Sequence, residues 1–268
     1  MKVVGFAQLR NELSKGGERG HTNLENWFKI MSQICETVYI FDQASDDSSI
    51  DYYYLPWREG AKARVIQSPT NRFNEELLCK AELLKWLLKN DGDADWILWL
   101  DGDTLLDGRL LRHGAKEFWD LCHRGLEESI DGFRMGHYNL WRSDNYYRVD
   151  SQYHDFHRRG RVPLWRNNGN LYFPETAGLH RRQQVQGLEK IERVDYSLVH
   201  RGFATDEQLI ERYNLYKGLG QSGWSLDRLL DEDGLTVEEL PDGLLPDWFE
   251  ITDDQNPTGK PPLLEQRS

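Results

Sequence analysis

The sequence predicts an α/β fold: one domain built on a mostly parallel sheet flanked by helices, followed by an acidic C-terminal tail. Three observations predict it. Strand-like and helix-like segments alternate through the first half of the chain. The run Trp96-Ile97-Leu98-Trp99-Leu100 is apolar throughout, the pattern of a strand covered on both faces rather than one. Polar residues stand just beyond the predicted strands: Arg10 and Asn11, then Asp42, then Asp101 and Asp103. In open α/β sheets, ligands bind outside the carboxyl ends of the strands.

The elements follow in order. Lys2 to Ala7 is a short apolar strand. Thr22-Asn23-Leu24-Glu25 is a capping-box pattern, and the helix it opens carries Leu24, Phe28, Met31 and Cys35 on one face. Thr37 to Phe41 is the second strand, ending at Asp42, and Arg64 to Gln67 is the third. Asn74 is placed to cap a helix with Glu75 and Glu76 in its first turn and Leu77, Ala81, Leu84 and Leu88 as its apolar stripe. The Trp96–Leu100 strand comes next. Later, Val194, Tyr196, Leu198 and His200 alternate as one face of a strand.

The 268 residues contain no internal repeat, and no Gly/Ser- or Pro-rich linker interrupts residues 1–230, so one domain is expected there. Residues 1–110 form its first half and 111–230 its second. Residues 231–268 hold eleven acids against Lys260 and Arg267, with five of the nine prolines, which marks the tail. Cys35, Cys79 and Cys122 are widely spaced and form no C-x-x-C pair, which argues against a disulfide framework or a zinc site. The opening MKVVGFAQLR lacks the apolar stretch of a signal peptide, and no run reaches the ~20 apolar residues of a membrane span. A soluble, cytoplasmic protein is the expectation.

Asp101-Gly102-Asp103 carries the chemistry. Turns use the same residues, but two carboxylates this close repel unless a positive charge lies between them, and a divalent cation is the simplest candidate. An EF-hand loop from Asp91 fails, since Trp96 stands where Gly is required and Gly102 where the bidentate Glu belongs. A D-x-D-x-T phosphatase motif needs Thr at 105, where Leu105 stands. A nucleotidylyltransferase needs a Gly-rich, Arg-containing loop after the first strand, where GFAQLRNEL stands. The surviving reading is a metal held between carboxylates and substrate phosphates, the arrangement that suits Mg²⁺ or Mn²⁺.

FAQLRNE, YIFDQASDDSS and DWILWLDGDT, in that order and spacing, resemble the hallmarks of family-2 glycosyltransferases of the GT-A (Rossmann-like) fold, and LVHRGFATDEQLIERYNLYKGLG resembles their C-terminal His-Gly stretch and following helix. The resemblance implies transfer of a sugar from a nucleotide-sugar donor, UDP-linked in the first instance, to a hydroxyl acceptor with inversion. It implies Asp103 as a metal ligand, Asp101 at the ribose or a metal-bound water, and His200 as a further metal contact, with Mn²⁺ or Mg²⁺ as cofactor. Arg10, Asn11, Asp42, Gln43 and Lys80 fall at donor-binding positions. Gln43 departs from the second Asp usual there, and Gly17 to Thr22 reads as an insertion near the crevice mouth. Lys80 and His200 also have plainer readings, as a snorkelling lysine and a core histidine. A metal-dependent phosphoryl-transfer enzyme and an inert sugar- or nucleotide-binding module remain the alternatives.

The acceptor side is expected in the second half. Glu175 and His180 are candidates for the base that takes the acceptor proton, with Asp150 and Asp155 behind them. Residues 134–182 hold nine arginines and four acids, so Arg158, Arg159 and Arg161 suggest an anionic acceptor, unless they form a solvated loop paired with the tail. A phosphate-bearing glycan or lipid is preferred over a modified nucleic-acid base, because the net charge of −12 opposes attraction to nucleic acid. Trp141 and Trp165 are read either as stacking platforms or as core.

Overall fold

The structure is a computed structural model that describes residues 1–15, 18–54, 62–150, 158–175, 184–218, 229–230 and 234–260. Among these residues the strands are β1 (Val3–Leu9), β2 (Thr37–Asp42), β3 (Lys62–Gln67), β4 (Trp96–Trp99), β5 (Thr104–Leu106), β6 (Gly132–Asn139), β7 (Tyr146–Arg148), β8 (Arg161–Arg166), β9 (Ile191–His200) and β10 (Val237–Glu239). The helices are α1 (Glu18–Ile34), α2 (Ser49–Tyr53), α3 (Glu76–Asn90), α4 (Gly108–Glu127) and α5 (Asp206–Gly218).

Eight strands form one sheet in the order β3-β2-β1-β4-β8-β6-β9-β5, and β10 pairs with β7 beside it. β3, β2, β1 and β4 are parallel neighbours; β8 is antiparallel to both β4 and β6, β9 is parallel to β6, and β5 is antiparallel to β9. The expected Rossmann-like α/β domain, a large mostly parallel sheet flanked by helices, is therefore what the chain forms. Chain direction reverses its lateral course at β1, with β2 on one side and β4 on the other, which is the switch point at which such sheets open a crevice.

The continuous apolar runs are explained by two cores, one on each sheet face. Val38 and Ile40 of β2, with Trp96 and Leu98 of β4, face the core under α1 and α4. The intervening Tyr39, Phe41, Ile97 and Trp99 face the core under α3. Alternation within each strand thus serves both layers. A third, smaller cluster joins Trp141, Leu209, Leu229 and Leu230.

Helix starts differ from the sequence pattern. α1 begins at Glu18 rather than at the capping box, so much of the expected insertion is helix, and Gly20 lies where a Cβ would come within 2.5–2.6 Å of the carbonyls of Glu12, Leu13 and Lys15. The box does not cap because residues 22–25 already lie inside α1, where Asn23 is buried and receives the Arg201 guanidinium. Ahead of α3, Phe73–Glu75 is a 3-10 turn, and Asn71 rather than Asn74 accepts its backbone N–H.

The acidic C-terminal segment is fastened to the body where it is described. Leu240 and Leu244 are buried in the main core, and Trp248 and Phe249 pack against it. Gly108 donates its N–H to Leu244 O at 2.7 Å. No helix among the described residues is long and apolar enough to cross a membrane.

Candidate functional site

The candidate site begins with two turns tied together beyond β1 and β2. Asn11 takes a left-handed backbone, φ 51°, which Asn tolerates better than most residues. Its side chain exchanges hydrogen bonds with Asp46, accepting from the Asp46 N–H at 2.9 Å and donating to the carboxylate at 2.5 Å. Ser45 accepts from Asn11 N–H and donates to Asp42, while Ser49 and Asp47 accept from the N–H groups of Leu13 and Ser14. Burial pushes the Asp42 carboxyl up, against the two hydrogen bonds from Ser45. Gln43 is also buried, with its side chain against the Cys79 thiol, and among the described residues the Nε of Arg10 has no hydrogen-bond partner.

The Asp-Gly-Asp turn follows β4 at the same edge. Asp101 accepts from Trp99 Nε1 at 3.0 Å and from Arg161 Nη1 at 2.8 Å. Arg161 reaches it because β8 runs antiparallel to β4, so the first residue of β8 stands beside the end of β4. Burial alone would raise the Asp101 carboxyl, but Arg161 and then Lys80 hold it below its ordinary value. Lys80 is itself buried on α3, bonded to Glu76 at 2.6 Å and 4.1 Å above the Trp99 ring.

Asp103 is surrounded from the far side of the sheet. His200 Nε2, at the end of β9, lies 3.3 Å from its Oδ2, and Arg212 of α5 bonds the same oxygen. Despite burial, His200 and Arg212 hold the Asp103 carboxyl well below the ordinary range. Burial lowers the His200 imidazole, opposed by Asp103. Gly202 makes this meeting feasible: a Cβ there would collide with the Arg212 guanidinium and sit 2.7 Å from Asp103 Oδ2. Beneath Gly102 lies Glu12, whose carboxylate bonds Lys15 at 2.6 Å. Burial raises the Glu12 carboxyl; Lys15 opposes this and nearby Asp103 adds to it.

The carboxylates therefore each have a cation: Asp101 has Arg161, Asp103 has Arg212, Glu12 has Lys15, and Glu76 has Lys80. The place between Asp103 and His200, where the resemblance would put a divalent ion, is crossed by the Arg212 guanidinium, 3.3 Å from His200 Nε2. Among the described residues, no three or more His, Cys, Asp and Glu side chains are grouped so as to hold a metal. Fixed cations beside hydrogen-bond acceptors are suited to a molecule that presents both phosphates and hydroxyls.

Arg10, Asn11, Asp42, Gln43, Lys80, Asp101, Asp103 and His200 thus meet at one edge of the sheet. Other candidates do not. Trp141 and Trp165 are fully buried, Trp141 in the third cluster and Trp165 against Phe6 and Trp99, so neither ring face is open for stacking. Glu175 is exposed and paired with Lys85 of α3. Asp150 is bound by Arg148 at 2.7 Å. His180 and Asp155 lie outside the described residues.

The basic block divides. Arg142 and Arg148 are buried in forked pairs with Asp206 and Asp150, Arg166 pairs with Asp131, and Arg161 with Asp101. Of the proposed trio, Arg158 and Arg159 are exposed, while Arg161 is half-buried and paired with Asp101. Glu12, Lys15 and Arg212 were missing from the sequence reading of the site. Glu12 sits inside the Arg-Asn-Glu element, and Arg212 follows the His-Gly stretch on the helix that resembles the family's.

No family model matches the sequence, and no curated protein does. Among solved structures, the crystal structure of HddC from Yersinia pseudotuberculosis is similar over 79% of this chain and 97% of that one, with a TM-score of 0.43 and 12% identity.

Proposed function

We propose that the chain is a glycosyltransferase that moves a sugar from a nucleotide-sugar donor, UDP-linked in the first instance, to a hydroxyl acceptor. The observation that supports it is the meeting of Asp101 and Asp103 with the joined turns after β1 and β2, at the switch point of the sheet. Three separated segments that resemble one family's hallmarks lie at one edge of the sheet, and His200 from the fourth joins them.

In this reading the nucleoside lies over the turns at Arg10–Asn11 and Asp42–Gln43. Asp101 accepts from a ribose hydroxyl. Lys80, Arg161 and Arg212 face the diphosphate and stabilise the charge that grows on it as the anomeric carbon–oxygen bond breaks. The acceptor oxygen attacks that carbon from the opposite side as its proton passes to water, and the products are the inverted glycoside, the nucleoside diphosphate and one proton released to solvent.

A screen of UDP-, GDP-, CDP- and TDP-sugars, read as release of nucleoside diphosphate with and without simple sugar acceptors, tests the proposal. Release from one nucleotide class supports it. Dephosphorylation of sugar phosphates with no use of any nucleotide sugar would replace it with phosphoryl transfer.

A further inference from the structure

The contacts around Asp103 carry a conclusion that departs from the metal chemistry the resemblance implies. Arg212 is held on three sides: Nε donates to Gly202 O at 3.0 Å, the guanidinium lies 5.0 Å from the Phe203 ring centre, and Nη2 bonds Asp103 beside His200. This is a seated side chain, and Gly202 is the residue that leaves room for it. A divalent ion needs carboxylate oxygens free of other cations, whereas here the Asp103 oxygen that faces His200 is already taken, and the nearby Asp101 is taken by Arg161. As placed, these residues do not fit a resident Mg²⁺ or Mn²⁺.

We infer that Arg212 takes the place of the divalent cation, binding the donor's diphosphate directly with Asp103 and Gly202 as its support. The inference rests on the nucleotide-sugar reading above. A guanidinium suits the task because its planar array of N–H donors can hold a carboxylate on one edge and phosphate oxygens on another. Asp103 is then a positioning residue for Arg212, and Arg161 on Asp101 supplies the second fixed charge.

The test is calorimetric binding of UDP to the full-length chain, in EDTA and in excess MnCl₂, for the wild type, Arg212→Ala and Arg212→Lys. The wild type should bind UDP about equally in both. Arg212→Ala should lose about 10- to 100-fold in EDTA, the usual worth of a hydrogen bond to a charged group, and regain part of the loss in MnCl₂, because the vacated Asp103–His200 pair is then open to an ion. Arg212→Lys should fall between. Wild-type binding that requires Mn²⁺, or unaltered binding by Arg212→Ala in EDTA, would overturn the inference and leave the nucleotide reading standing. Absence of binding by UDP, GDP, ADP and CDP in both conditions would overturn both. Should Arg212→Ala fail to fold, the wild-type comparison of EDTA with MnCl₂ decides alone.

Discussion

Asp144→Ala should be among the most destabilising single substitutions in this chain, and should loosen the C-terminal segment first. Asp144 is fully buried, accepts from Arg201 Nη2 at 3.0 Å, and accepts from both the N–H and the hydroxyl of Thr252, at 3.0 and 2.7 Å. Its own N–H donates to Asp253 O at 2.6 Å. Arg201 is equally buried, reaches Asn23 on α1, lies 4.7 Å from the Phe249 ring centre, and donates its backbone N–H to Asp103 O at 2.8 Å. Removing the carboxylate takes the Asp144 charge away from a buried guanidinium, and breaking a buried pair of this kind typically costs about 3–5 kcal/mol. The two Thr252 bonds belong to the same network and are not added on top. Urea unfolding followed by tryptophan fluorescence measures the loss, and limited proteolysis should show earlier cleavage near residues 250–255. A cost below about 1 kcal/mol, with the proteolysis pattern unchanged, would refute the view that this buried pair fastens the segment.

Asp131 gives a pH test. Burial would raise its carboxyl, but the N–H groups of Lys190 and Glu189 and the Arg166 guanidinium pull it down to about 2. Against the ordinary value of 3.8, this contributes about 2 kcal/mol of stability, present in full above pH 4 and lost as pH falls through 2. The difference between wild type and Asp131→Asn should be flat from pH 7 to about 4 and shrink below it; a difference that grows with acid contradicts the assignment. Asp103→Asn should lower turnover by about 10²–10³ through loss of the support for Arg212, with near wild-type turnover as the contrary result. Lys80→Met keeps the packing on Trp99 but removes the charge, so the donor KM should rise about tenfold; an unchanged KM would return Lys80 to a structural role.

The first four strands, part of β9 and the polar residues beyond them were legible because both are local: a buried strand shows as a continuous apolar run, and a strand end as the first Asp or Arg after it. Their neighbours were not. Nothing near Arg161 marks β8 as antiparallel to β4, yet that pairing is what delivers Arg161 to Asp101. Arg212 likewise meets Asp103 across 109 positions of sequence. Periodicity reported Trp141 and Trp165 as apolar positions but could not tell a core ring from an exposed platform, and the packing of both cores decides it. The positive charge of 134–182 was visible as a count, but its meaning depended on Asp206, Asp150, Asp131 and Asp101, which the fold brings to those arginines one by one.

Hydrogen exchange with and without a saturating nucleoside diphosphate tests the central claim most directly, because it reports where the ligand sits rather than what becomes of it. The account predicts slowed exchange in four segments far apart in sequence: residues 9–15, 42–49, 101–104 and 200–212. Protection confined to another face, such as the open groove between Arg109, Glu117, Arg193 and Tyr196, with those four segments unaltered, would contradict it.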